Sequence, residues 1–244
     1  MAGLHFVQGV AVVILSKSTT FPLNTSYLTL DTLASKTGSP VLVSATRQIG
    51  NINLAYLVAA FFFMSAIAHL IIATVYRNTY EKNLKKGMNQ ARWVEYSISA
   101  STMMVGIAML SGVYDASSLL MIFALDFIMN MMGLVMEVHN QTTKKTNWLS
   151  YAIGCVAGIV PWLVFAIYIV GARNYGSGQI PSFVYWIYVS MFIFFSSFAV
   201  NMYLQYKKIG KWADYLYGEK VYMILSLVAK SLLAWQVFFG TLRP

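Results

Sequence analysis

The stretch Val221-Tyr222-Met223-Ile224-Leu225-Ser226-Leu227-Val228-Ala229-Lys230-Ser231-Leu232-Leu233-Ala234-Trp235-Gln236-Val237-Phe238-Phe239-Gly240 decides the fold. Twenty helical residues reach about 30 Å, the hydrocarbon thickness of a bilayer. Lys230 is the one charge among them, and it stands midway. Its amine is about 15 Å from either boundary, too far for the stem to reach water comfortably. An ammonium at that depth costs at least ~3 kcal/mol even on the gentlest insertion scale, so it must be paired or neutralised by chemistry. An uncharged amine can attack an aldehyde to form a Schiff base.

Working outward, apolar stretches recur at about 3–16, 52–76, 93–113, 116–136, 148–171, 182–206 and 220–241. The first is short for a crossing. Only 10% of the 244 residues are charged and 58% are hydrophobic. Soluble domains carry roughly 25% charged residues, so a water-soluble globule is excluded, and a disordered chain would be poor in apolar residues. The expected fold is an all-α membrane protein, a seven-transmembrane helix bundle forming one domain over residues 1–244.

The formal charge of +9 would point to nucleic acid in a soluble protein. Here the basic residues sit in loops between apolar stretches, and no nucleic-acid partner is expected. Arg77, Lys82, Lys85, Lys86, Arg92, Lys144, Lys145, Lys207, Lys208, Lys211 and Lys220 fall on the N-terminal side of seven crossings. Lys17, Lys36, Arg47, Arg173 and Arg243 fall on the other. The bias places the N-terminus in the cytoplasm and the C-terminus outside. Residues 1–16 lack the basic start and small-residue site of a cleavable signal. The single cysteine, Cys155, forms no intrachain disulfide and does not report on compartment.

The one long connection, 17–51, holds Tyr27-Leu28-Thr29-Leu30 and Val41-Leu42-Val43 around Lys36-Thr37-Gly38-Ser39-Pro40. Two β-prone runs about a Gly/Pro break read as a small extracellular β-hairpin, with a flexible loop as the alternative.

Glu95 is the natural partner for Lys230. Its competing reading is an interfacial carboxylate paired with Arg92 at i,i+3; burial would follow if its helix began earlier, near Lys85. Asp126, ten residues into its stretch, is read first as hydrogen-bonded to a neighbouring Ser or Asn, and otherwise as part of a pocket or proton path. His5 and His69 stand alone in apolar runs and could share a polar cavity that accepts a proton. No cluster at metal-ligand spacing is present, and no metal is expected. Ser226 lies at i−4 from Lys230 and Ser99 at i+4 from Glu95, placed to hydrogen-bond an ion pair or simply to pack helices. Trp162, Phe194, Phe195, Trp186 and Trp235 could line a slot for a long flat apolar ligand. Phosphate-binding, dinucleotide, nucleophile-elbow and zincin motifs are missing, so no enzyme activity is expected.

Arg92-Trp93-Val94-Glu95-Tyr96-Ser97, Gly154-Cys155-Val156-Ala157-Gly158-Ile159-Val160-Pro161-Trp162, Tyr203-Leu204-Gln205-Tyr206-Lys207 and Ser226-Leu227-Val228-Ala229-Lys230-Ser231 with Ala234-Trp235-Gln236 carry a close resemblance to the heliorhodopsin family. The likeness runs from the second stretch to the C-terminus and weakly includes His5. These are rhodopsin-like, inverted-topology retinal proteins, and the charge count points independently to the same topology.

The resemblance implies that Lys230 holds all-trans-retinal as a protonated Schiff base with Glu95 as counterion. Ordinary pumps carry an acid one turn before the lysine, where Ser226 stands here. Ser226 and Ser99 would hydrogen-bond around the pair, while Ser65, His69 and His5 would form a proton-accepting cavity. Met129, Gly133, Pro161, Trp162, Phe195 and Trp235 would contact the polyene. Asp126 departs from the amide that relatives carry there, with consequences for colour or proton movement. The expected function is light sensing with a slow photocycle and no pumping, in a homodimer with an unknown signalling partner. A light-activated proton conductor, as in a few viral relatives, is the alternative. A colourless transporter switching a Lys230–Glu95 bridge is the second.

Overall fold

The computed structural model describes residues 1–37 and 39–244; Gly38, inside the expected Gly/Pro break, lies outside the described residues. Eight α-helices and two strands follow one another: α1 Ala2–Leu15, β1 Thr20–Leu30, β2 Leu42–Asn53, α2 Leu54–Ala73, α3 Arg77–Lys85, α4 Gln90–Leu110, α5 Ala116–Asn140, α6 Leu149–Tyr175, α7 Ser182–Lys207 and α8 Tyr215–Val237. A single π turn, Phe238–Leu242, ends α8.

Five helices, α2, α5, α6, α7 and α8, are long and apolar enough to cross a membrane. α1 has only 14 residues. α4 has 21 but falls outside that group, because Arg92, Glu95, Ser97, Ser99 and Ser101 dilute its apolar content. Large apolar side chains point outward from the long helices: Leu120, Ile167 and Trp186 are each about two-thirds exposed. In water such a surface would drive aggregation; against lipid it costs nothing.

Helix starts follow from side-chain caps. Asn53 ends β2 and accepts from the amides of Ala55 and Tyr56, so the sheet runs directly into α2. Asn89 caps α4 through the Arg92 amide, 3.1 Å away. α4 therefore begins at Gln90, not near Lys85. The chain between α3 and α4 bends at Gly87, whose φ of +70° is open to glycine without strain. Asp115 caps α5 and Asp214 caps α8.

β1 and β2 form a two-stranded antiparallel sheet, from Thr20 opposite Asn53 to Leu30 opposite Leu42. It is far longer than the two β-prone runs, which fall at its distal end. In the remainder Phe21, Leu23 and Ile52 pack against the helical core, but Pro22 and the Thr, Ser and Asn residues around them dilute the apolar signal. The register shifts between Leu23 and Asn24, where the Asn24 amide donates to the Tyr114 carbonyl at 2.8 Å and ties the sheet to the α4–α5 turn.

The main core joins α1, α2, α4, α5, α6, α7 and α8 through residues such as Phe62, Met104, Ile107, Phe165, Met191 and Leu233. A smaller cluster of Trp93, Tyr96, Met136, Met202 and Tyr222 fills the other end of the bundle. Lys230 lies in the interior between them.

Candidate functional site

Lys230 is 2% exposed. Its Nζ donates to Glu95 Oε1 at 3.2 Å and to Ser226 Oγ at 2.8 Å, the latter one turn earlier on α8. Glu95 Oε1 also accepts from Ser99 Oγ at 2.8 Å, one turn along α4, and from Ser65 Oγ on α2. Three helices thus converge on one carboxylate oxygen. Two buried charges repay their desolvation only with good geometry and extra hydrogen bonds, and the serines supply those. The Nζ also lies 5.2 Å from the Tyr96 ring.

Arg92 does not compete for Glu95. Its Nη2 lies 2.7 Å from Glu137 Oε1 on α5, and its Nε is 3.0 Å from Glu219 Oε2 on α8. The guanidinium stacks between Trp93 and Tyr222, 4.0 and 3.9 Å from their ring centroids. These charges stand near span ends, where interfacial solvation is the natural expectation, yet all three are buried. Sequence reasoning missed this triad. A signal was present: Asp126, Asn130, Gly133 and Glu137 follow i, i+4, i+7, i+11 on α5, and Glu219, Tyr222, Ser226 and Lys230 follow i, i+3, i+7, i+11 on α8, each one helical face.

A slot leads away from Lys230. The cavity at the amine is lined by Tyr96, Met129, Asn130, Phe195, Phe198 and Ser226, among others. A second, sharing Tyr96, Met129, Asn130, Phe195 and Phe198, continues past Trp93, Gly133 and Tyr222. A third reaches Trp162 and Cys155 and again shares Met129 and Phe195. The first two hold about 40 and 80 Å³ and are narrow. Their width is set by close approaches: a Cβ on Gly133 would meet the Trp93 ring at 2.3 Å, and one on Gly158 would meet Met129 Sδ at 2.4 Å. Met129, a flexible thioether, is the wall most able to give.

Of the remaining expected site residues, Trp162 sits edge-on to Phe195 with centroids 5.6 Å apart. Pro161 precedes it inside α6, buried but outside the lining of these cavities. Trp235 is placed elsewhere: its indole N–H donates to Gln8 on α1 at 3.3 Å, and its ring packs on Phe238. Asp126 Oδ2 accepts from Ser101 Oγ at 3.1 Å and Asn130 Nδ2 at 3.2 Å, and Asn130 carries this pairing to the slot wall. His5 and His69 stack in parallel, centroids 5.5 Å apart, and His69 stands one turn beyond Ser65. His5 is fully buried, and its Nδ1 has no partner among the described residues.

A lysine amine is thus held against one carboxylate at the end of an apolar aromatic slot. The heliorhodopsin family model matches residues 1–242. The chain belongs to the heliorhodopsin family. Heliorhodopsins are light-sensing retinal proteins of membranes, and the apolar helices fit that setting. No curated protein matches the sequence. The donor set fits retinal: Lys230 is the buried amine that opens into the slot, and the slot's walls are aromatic side chains and methionine.

Proposed function

We propose that this heliorhodopsin is a light sensor that holds all-trans-retinal at Lys230 as a protonated Schiff base, with Glu95 as the sole counterion. The observation that carries the reading is the 3.2 Å contact between Lys230 Nζ and Glu95 Oε1 at the mouth of the slot. On this reading α1 and α4 complete seven crossings of a single domain, with the N-terminus cytoplasmic and the C-terminus outside. α4 can cross because Glu95, Ser97, Ser99, Ser101 and two of the three Arg92 nitrogens have partners inside the bundle. The protein acts as a homodimer with a signalling partner.

When bound, retinal supplies a light-driven change of shape. The chain's own residues do the rest. Glu95 balances the charge at Nζ, Ser65 and Ser99 hold its Oε1 in place, and Ser226 fixes the nitrogen on the α8 side. Movement of Nζ breaks its bonds to Glu95 and Ser226 while both serine contacts to Glu95 persist. If the displaced nitrogen then gives up its N–H proton and keeps the bonding pair, the His5–His69 pair, with His69 one turn beyond Ser65 on α2, stands as the acceptor.

Pumping requires reloading from the opposite side. The other buried carboxylates are unsuited to it: Glu137 and Glu219 are both bound by Arg92, and Asp126 is held by Ser101 and Asn130. We therefore assign a sensory role. Proton conduction is the second reading, favoured by the unpartnered His5 Nδ1.

Purified wild type given retinal should show a visible band that Lys230→Ala lacks. Equal spectra would overturn the retinal reading in favour of a transporter. A photocurrent in voltage-clamped cells that reverses with the proton gradient would replace the sensor by the conductor.

A further inference from the structure

At the end of the bundle where most basic residues gather, the α3–α4 turn, the α5–α6 loop and the α7–α8 connection enclose a cavity of about 360 Å³. It is separate from the slot. Its wall carries three ammonium groups, Lys86, Lys144 and Lys208, and no carboxylate. Like charges gathered round one concavity focus a positive potential into it.

Lys208 ends α7 in the left-handed region, φ 53°, where an L residue other than Asn or Gly is strained. The other lining groups are amides, hydroxyls and the ring of Trp212.

Gln205 supplies an independent observation. It is 7% exposed and lines the cavity. Its amide nitrogen faces two acceptors, the Tyr215 carbonyl at 3.1 Å and Glu219 Oε1 at 3.5 Å, which fixes the amide orientation. Its Oε1 is then a buried acceptor with no donor among the described residues. A buried acceptor left unmatched is costly, so a ligand that brings a donor is favoured.

We propose that this cavity binds an oxyanion of the phosphate class, its charged oxygens on Lys86, Lys144 and Lys208, with the Gln205 side chain turning its Oε1 into the cavity to accept from a P–OH. Free phosphate and the monoester headgroup of an acidic lipid share that chemistry. Binding is read out at the triad as well, because Gln205 touches Glu219 and Tyr215 Oη lies 3.4 Å from Glu137 Oε1. Nothing in this inference depends on the chromophore.

The test is titration of the full-length protein in detergent with inorganic phosphate near pH 6, following Trp212 fluorescence. A parallel arm uses nanodiscs with and without phosphatidic acid. Saturable binding is expected in at least one arm, and the arm that responds identifies the source. Sulfate, which carries no O–H at that pH, should bind more weakly than phosphate. Lys86→Gln/Lys144→Gln/Lys208→Gln, checked for unchanged elution and circular dichroism, should bind at least about tenfold more weakly, a loss of about 1.4 kcal/mol. Absence of saturation in both arms, or wild-type affinity in a folded triple variant, overturns the proposal. Equal affinity for sulfate overturns the role of Gln205.

Discussion

Arg92 Nη2 lies 2.7 Å from Glu137 Oε1 across the α4–α5 interface, while Glu95, three residues along Arg92's own helix, is left to Lys230. The arrangement sorts five buried ionisable groups of α4, α5 and α8 into two separate sets. One is a structural triad with an excess carboxylate; the other is a one-to-one pair at the slot.

The triad should behave as a unit. Arg92→Met strands two buried carboxylates and should destabilise by about 3–5 kcal/mol. Arg92→Met/Glu137→Leu/Glu219→Leu removes all three charges and should lose less than the single variant, although Asn89 then gives up its bonds to both acids. Denaturation midpoints in mixed micelles check the ranking; a triple variant less stable than the single one would contradict it.

Glu95→Gln keeps an oxygen for Ser65 and Ser99 but removes the charge opposite Nζ. A nearby anion favours positive charge on the nitrogen, which is where the ground state of a protonated retinal imine holds it, more than in the excited state. The absorption band should therefore move to longer wavelength. An unshifted band would mean that another anion balances Lys230.

Gly133→Ala puts a methyl group into the Trp93 ring and should cost about 1–3 kcal/mol through overpacking. Trp93→Phe should recover part of that loss in the double variant, because the smaller ring vacates the contested space. Additive losses measured by thermal denaturation would argue against this contact.

Outside the membrane, Asp115 caps α5. The Ser117 hydroxyl, then the Ser118 amide, hold its carboxyl below the ordinary Asp value. A lowered native value means that the cap's contribution is complete above the unfolded value of about 3.9 and disappears as pH falls through the native one. Asp115→Ala should cost about 0.5–2 kcal/mol at neutral pH. Asp115→Asn should match wild type there yet show a flatter loss of melting temperature below about pH 5. Parallel acid profiles for wild type and Asn would remove Asp115 as a contributor.

What the sequence made legible follows from periodicity and cost. Lys230 announces itself because a lone charge amid apolar residues demands an explanation, and its i−4 spacing to Ser226 shows which hydroxyl reaches it. Glu95 was legible as a partner but not as a buried one, since its fate hinged on where Arg92 turned, and that is set by Glu137 and Glu219 on other helices. Trp235 shows the converse: it reads as a slot wall by resemblance, yet five residues past the lysine it lies on another face of α8, which meets Gln8 of α1. The long sheet was hidden because only a few apolar side chains, Phe21, Leu23 and Ile52, mark its inner half, among Pro, Thr, Ser and Asn. The start of α4 was displaced by a cap, Asn89, whose role needs its tertiary bond to Glu219 as well as its local one.

The polarity of α4 bears on how the chain is made. Its Arg92 finds Glu219 only after a further 127 positions have left the ribosome. Until then the segment has no full set of partners and little intrinsic affinity for lipid. Biogenesis must therefore shelter it, at the translocon or against α2 and α5, until the last helix arrives to lock it in place.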